Sequence, residues 1–230
     1  MELEKSSCAN SSKVSYDSSK VEIENKDLSA HWNNAYHKEI TTLGWYEAHP
    51  KPSLKLIKKC NLEKSAAILN VGVGATTLVD LLVTQGFSNL IVNDLSSVAL
   101  DKLKNRLGND GHNITWVVDD LTNPTQLNQL EKIDLWHDRA VLHFFNEEKD
   151  QITYFNLIKQ LIKRNGFVII ATFNLNGATK CSGLPVFRYN EQMIQDRLGA
   201  AFKLIEAFDY TYTMPSGNTR AYVYTLFQRN

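Results

Sequence analysis

Two glycines, an amide and a well-spaced acid are the residues of this chain whose types and order point to chemistry. The stretch ILNVGVGATTL sets Asn70, Gly72 and Gly74 after a short apolar run and before a helical pattern. That order reads as a strand, a tight turn and a helix N-terminus, where the backbone can approach a nucleotide-like ligand without a Cβ in the way. The next apolar run, NLIVND, ends on Asp94. An acid about twenty residues after the turn can accept hydrogen bonds from both hydroxyls of a ribose. Turn and acid together point to an adenosine-containing cofactor. A dinucleotide fingerprint places a third glycine where this chain has Thr77, at the point where a pyrophosphate needs room. An NAD-dependent dehydrogenase is therefore the less favoured enzyme reading.

More chemistry-bearing side chains lie further along. His137 and Asp138 end the run IDLWHD, and Arg139 follows. His137 is the candidate general base, with an orienting or merely packed imidazole as the alternative. Asp138 and Arg139, adjacent and opposite in charge, are read either as catalytic or as a structural ion pair. His143 in VLHFF is a candidate wall for a substrate or a packed ring. Arg188 and Tyr189 in GLPVFRY follow a strand, and Arg188 could grip a carboxylate with both its nitrogens or form an ordinary ion pair. Trp32, Tyr36, Trp45 and Tyr46 precede all of these and can supply an aromatic lid or pack helices onto the sheet.

The elements that must position them follow from periodicity. Ser29 is expected to cap a short helix carrying Trp32 and Tyr36, and Pro52 to start a second one. From Ala66 strand and helix patterns alternate. AAILNV leads to a helix ended by Gly86. NLIVND leads to SSVALDKLKNRLG, with Leu100, Leu103 and Leu107 on one face. NITWVV and IDLWHD read as further strands. A long helix with Ile152, Phe155, Ile158 and Ile162 is expected to close at Asn165 and Gly166. FVIIATF reads as a strand buried on both faces. A helix starting near Asn190 precedes two strands, FKLIEAF and TRAYVYTLFQ, around the turn TMPSGN. The repetition predicts an α/β fold, a doubly wound, mostly parallel sheet with right-handed crossovers, closed at one edge by an antiparallel hairpin.

Composition narrows the class. A chain of 230 residues with 43% hydrophobic and 22% charged residues suits one globular domain. The formal net charge of zero gives no broad basic field, so nucleic acid is not the expected partner. No apolar run approaches a membrane span. The first 27 residues are serine-rich and polar and are expected to be a flexible tail, with 28–230 as the domain. That segment has no signal-peptide core, and Glu2, Glu4 and Asp17 argue against a mitochondrial presequence. Cys8, Cys60 and Cys181 show no ligand spacing, so no metal is expected, and a reducing cytoplasm is the natural compartment.

The ordered set of motifs resembles class I S-adenosylmethionine-dependent methyltransferases over about Ser29 to Arg229. ILNVGVGATTL is similar to the first motif of that family, NLIVNDLS to the second, VVDDLTN to the third and DLWHDRAVLHFF to the fourth. KCSGLPVFRYN resembles a segment of a small bacterial-type subgroup. The resemblance implies S-adenosyl-L-methionine as cofactor. It implies that Gly72 and Gly74 lie beneath its methionine and ribose, that Asp94 holds the ribose hydroxyls and Leu95 packs on the adenine. Asp120 would accept from the adenine amino group, Leu121 would give a backbone N–H to the ring, and His137 and Asp138 would face the methyl group. Asn70 stands where the family usually carries an acid; an amide still joins the hydrogen-bond network but brings no charge. Trp45, Tyr46, His143, Arg188 and Tyr189 are the implied acceptor contacts. The acceptor is expected to be a small molecule, with a protein lysine as the alternative and a non-catalytic cofactor-binding module as a third reading. The chain is expected to be a monomer or dimer. The Asn/Asp-Pro-Pro-aromatic tetrapeptide of DNA-adenine and glutamine-amide methyltransferases is absent after IDLWHD, and the several cysteines of arsenic methyltransferases are not grouped here.

Overall fold

The computed structural model describes residues 27–230 with the exception of Ala75, so the expected tail falls almost wholly outside the described residues. Seven strands form one sheet in the order β3-β2-β1-β4-β5-β9-β8. Strands β1 (Ala67–Val71), β2 (Asn89–Asp94), β3 (Thr115–Val118), β4 (Ile133–Arg139) and β5 (Ile162–Phe173) run parallel. Strands β8 (Phe202–Thr213) and β9 (Thr219–Arg229) form the predicted hairpin, and β9 joins β5 antiparallel. A separate two-strand ladder pairs β6 (Lys180–Cys181) with β7 (Leu184–Pro185). The strand order reverses beside β1, so the crevice at the carboxyl ends of β1 and β4 is the place where such sheets hold ligands.

Both faces of the sheet are covered. Helices α2 (Lys51–Lys59), α3 (Leu78–Thr84) and α4 (Ser97–Leu107) bury Leu56, Leu78, Leu82 and Leu103 against Ile68, Leu135 and Ile169. Helices α5 (Glu148–Leu161) and α6 (Glu191–Leu198) bury Phe155, Ile158 and Ile194 against Leu69, Trp136 and Ile170. Leu135 and Trp136 serve opposite layers because successive side chains of a strand alternate. Each fully buried leucine or isoleucine contributes about 1.5–3 kcal/mol over its exposed state.

Two boundaries differ from the sequence reading. Helix α1 (Leu28–Ala35) is capped by Asp27, whose carboxylate accepts from the Ala30 N–H at 3.0 Å. Ser29 lies inside the helix, and its hydroxyl reaches the Leu95 carbonyl instead. Helix α5 stops at Leu161, and Ile162 already belongs to β5, paired with Ile133. The periodicity of Ile162 with Ile158 matched a helix, but pairing with β4 decided the state. Asn165 then turns the strand at φ 63°, and the register shifts between Ile133 and Leu135. The cap near Asn190 is present, accepting from Met193 N–H, and Ser96 caps α4 by accepting from Ala99 N–H.

Candidate functional site

The turn after β1 is shaped by its two glycines. Gly72 has φ +55°, and a Cβ there would sit 2.1 Å from Val141 Cγ2. Gly74 has φ +48°, and a Cβ there would sit 2.3 Å from the Tyr36 hydroxyl oxygen. Neither position admits a side chain. Asp94 braces this turn from β2: one carboxylate oxygen accepts from Gly74 N–H at 3.0 Å and the other from Ser96 N–H at 2.9 Å. Burial pushes its carboxyl up to about 6, against the pull of these hydrogen bonds. Leu95 lies half-buried beside it. Thr77, in the third glycine place, donates its hydroxyl to the Glu47 and Ala48 carbonyls, which ties the turn to the N-terminal segment. Asn70 is buried, and neither its amide nitrogen nor its oxygen has a hydrogen-bond partner among the described residues.

After β3, Asp120 folds the loop by accepting from both the N–H and the hydroxyl of Thr122 at 2.8 Å. Leu121 is buried in the layer of α5. The neighbouring Asp119 holds Thr125 and Leu127 by their N–H groups.

The end of β4 separates residues that the sequence reading grouped together. His137 and Asp138 are expected to face one methyl group, but the strand pleat sends them to opposite faces. His137 points to α2, with Nε2 2.9 Å from Ser53 Oγ, and lines a cavity with Asn70, Gly72, Trp45 and Arg139. Burial, then the charge of Arg139, lowers the imidazole to about 3, so it is neutral. Asp138 points to α5. It accepts from the Tyr154 hydroxyl at 2.6 Å and from the N–H groups of Val141 and Leu142, and these bonds form the turn after β4. Burial raises its carboxyl to about 6, against those hydrogen bonds.

Arg139 does not pair with Asp138. Its guanidinium meets Glu47 at 2.8 Å, with both side chains almost fully enclosed. It also donates to the Tyr224 hydroxyl and the Trp45 carbonyl at 3.1 Å, and it lies 4.7 Å from the Tyr212 ring centre and 5.1 Å from that of Tyr222. Its second terminal nitrogen, Nη2, has no hydrogen-bond partner among the described residues. Burial raises the Glu47 carboxyl, and Arg139 opposes that shift. Neither Glu47 nor Ser53 stands in a motif, so neither was legible before the structure.

An aromatic cap covers the cavity. Trp45 Nε1 donates to the Tyr36 hydroxyl at 2.9 Å, and Trp32 meets Trp45 edge-on at 5.7 Å and Phe144 at 4.9 Å. The Tyr46 carbonyl accepts from the Tyr212 hydroxyl of the hairpin. Beneath this cap the cavity is about 20 Å³, room for about one water. His143 has no exposed surface, lies 4.4 Å from the Phe173 ring and has no hydrogen-bond partner for either ring nitrogen among the described residues. Arg188 is engaged by the Leu175 and Gly177 carbonyls, and Tyr189 is buried in the layer of α5 and α6. Burial raises the Cys181 thiol to about 11 and the Cys60 thiol to about 12, so both are poor nucleophiles. No cluster of metal-ligating side chains occurs among the described residues.

Residues 68–166 match the family model described as a methyltransferase domain. That match and the hairpin-closed parallel sheet support a class I S-adenosylmethionine-dependent methyltransferase. Among its relatives is EEF1A lysine methyltransferase 2 of Danio rerio, 28% identical over 181 residues that cover 72% of this chain and 76% of that protein. A methyltransferase from Anabaena variabilis shares the fold with a TM-score of 0.70 at 14% identity, covering 88% of this chain and 93% of that one. So does a Burkholderia thailandensis 1,6-didemethyltoxoflavin-N1-methyltransferase solved with that molecule and S-adenosylhomocysteine. Its TM-score is 0.65 at 18% identity, covering 88% of this chain and 87% of that one.

Proposed function

We propose that this enzyme moves the methyl group of S-adenosyl-L-methionine to a small-molecule acceptor at the carboxyl ends of β1 and β4. The observation that carries the acceptor class is enclosure. Trp45 lines the cavity, Trp32 and Tyr36 pack on Trp45, and Glu47 anchors that segment to Arg139 from inside. With this segment closed the cavity has room for about one water, so the segment must shift to admit an acceptor, and a compact one can be enclosed when it returns.

The residues present fit the cofactor. Asn70 holds an unpartnered buried amide, the glycine turn leaves no room for a Cβ, and Asp94 keeps lone pairs beyond its two backbone bonds. In this reading Asp94 takes the ribose hydroxyls, Leu95 lies against the adenine, Asp120 and Leu121 meet its edge, and Asn70 meets the methionine end. When bound, the cofactor supplies a sulfonium-activated methyl group. The chain's own residues then supply alignment, worth up to about 7–11 kcal/mol in well-oriented systems, and exclude water through the aromatic cap. Trp45, Tyr46 and His137 line the acceptor's side. Asp138 supports the site through the turn that places Val141 against Gly72.

No helix among the described residues is long and apolar enough to cross a membrane. Scattered, burial-deactivated thiols suit a reducing cytoplasm. A second reading, a protein lysine acceptor, draws on the Danio rerio relative. Incubating the protein with methyl-labelled cofactor and an extract of its own cells, then separating by size, decides between them. Label in the small-molecule fraction supports the proposal. Label on polypeptide overturns it in favour of the second reading. Binding of S-adenosylhomocysteine with no label transferred points to a non-catalytic module.

A further inference from the structure

His137 offers two ring nitrogens, and their surroundings differ. Nε2 meets Ser53 Oγ at 2.9 Å, a contact between buried side chains 84 residues apart. Nδ1 has no partner among the described residues and is the nitrogen left for the cavity that His137 lines. Ser53 has no exposed surface, and its hydroxyl has no second hydrogen-bond partner among the described residues. A serine hydroxyl has one hydrogen to give, and a neutral imidazole has one N–H and one lone pair. With the imidazole hydrogen on Nε2, the Ser53 hydrogen is stranded in the interior without an acceptor, which is unfavourable. With Ser53 donating to Nε2, both groups are satisfied and the imidazole hydrogen sits on Nδ1.

We infer that Ser53 is a positioning residue that fixes His137 as the Nδ1–H tautomer, so that His137 presents the acceptor with a hydrogen-bond donor and not with a base. The ring's lone pair is turned toward α2, away from the reacting groups. The charges around the ring do not restore a base. Arg139 on the same strand is cationic, Glu47 is held against Arg139 by the N-terminal segment, Asn70 on β1 is uncharged, and α2 brings Ser53. The inference rests on the reading under Proposed function and sharpens it. The acceptor brings an oxygen or ring nitrogen with a free lone pair to Nδ1–H and reaches the site already deprotonated. An ammonium group is disfavoured there, because two donors would face each other.

The test uses the full chain labelled with ¹⁵N-histidine. Long-range ¹H–¹⁵N correlation at neutral pH is expected to show His137 with Nδ1 protonated and Nε2 bare, its signals identified by their loss in His137→Asn. Ser53→Ala is expected to lose the single tautomer, and Ser53→Thr, which keeps the hydroxyl, to recover it. A wild-type Nε2–H tautomer, or a tautomer unchanged in Ser53→Ala, overturns the inference. The kinetic arm compares two variants. Asparagine keeps a donor near the Nδ1 position but has no basic nitrogen, so His137→Asn is expected to retain at least about tenfold more turnover than His137→Ala, since a lost general base costs about 10²–10⁴-fold. Equal loss in both variants, with a wild-type limb titrating near ~6.5, makes His137 a base and overturns it. The NMR arm needs no turnover. An expected tautomer in a chain that transfers no methyl group therefore counts against the proposed function and not against the role of Ser53.

Discussion

Replacing His143 by Phe is expected to make the protein relatively more stable as the solution becomes acidic. The ring is enclosed against Phe173 and Phe144, and neither nitrogen has a hydrogen-bond partner among the described residues. Burial, then Arg139, holds its pKa near 3, against an ordinary value of 6.5. For a group lowered on folding, the stability it contributes is fully present above 6.5 and is lost as pH falls through 6.5 toward 3, because the unfolded chain takes up a proton that the folded one refuses. At pH 5 that loss is about 2 kcal/mol, from about 1.4 kcal/mol per unit over about 1.5 units. Phenylalanine has no proton to take up. At neutral pH, removing unsatisfied nitrogens gains about 1–3 kcal/mol, offset by about 1–3 kcal/mol for fitting a larger ring. The two proteins should therefore be close at pH 7.5 and differ by about 2 kcal/mol more in favour of the variant at pH 5. His137 is common to both and cancels. Urea unfolding at the two pH values measures this. A difference that is the same at both, or that shrinks on acidification, refutes the picture of an enclosed neutral ring.

Two further outcomes follow from the site. Asp94→Ala is expected to weaken S-adenosylhomocysteine binding by about 2–4 kcal/mol through lost charged hydrogen bonds; an unchanged Kd by calorimetry in a folded variant removes Asp94 from the ribose site. Glu47→Ala leaves the Arg139 guanidinium enclosed without its carboxylate and is expected to cost about 3–5 kcal/mol, about 6–20 °C in Tm for a chain of this size. A loss below about 1 kcal/mol would mean that the pair is effectively solvated.

The alternation of strands and helices, the terminal hairpin and the glycine turn were legible because each rests on local signals: apolar runs, helix stops and a turn that excludes Cβ. Asp94 was legible because its distance from the turn is a property of one βα unit. The errors have a common cause. Ser29 and Asp27 are both good caps, and only the geometry of the first turn selects Asp27. Ile162 fits a helical face as well as a strand, and its partner Ile133 decided. Adjacency left Arg139 open to pairing with Asp138 or with other neighbours; the strand pleat sends the two apart, and Glu47 supplies the counter-charge from 92 positions upstream (139 − 47). Ser53 is one serine among many in the sequence, and only its place against His137 gives it meaning.

The position of β9 has a consequence for how the chain is made. It lies between β5 and β8 although it follows both in the sequence. Strand β5 therefore leaves the ribosome well before the segment that will cover its outer edge. During that interval the backbone from Phe167 to Phe173, flanked by some of the most apolar side chains of the sheet, stands open as a template for any extended chain nearby. In the finished sheet β8 pairs with β9 and not with β5. The sheet is completed by long-range pairing, which is slow. Fast overproduction lengthens the collective exposure of such edges, whereas slower synthesis at lower temperature keeps unfinished chains apart until β9 closes the gap.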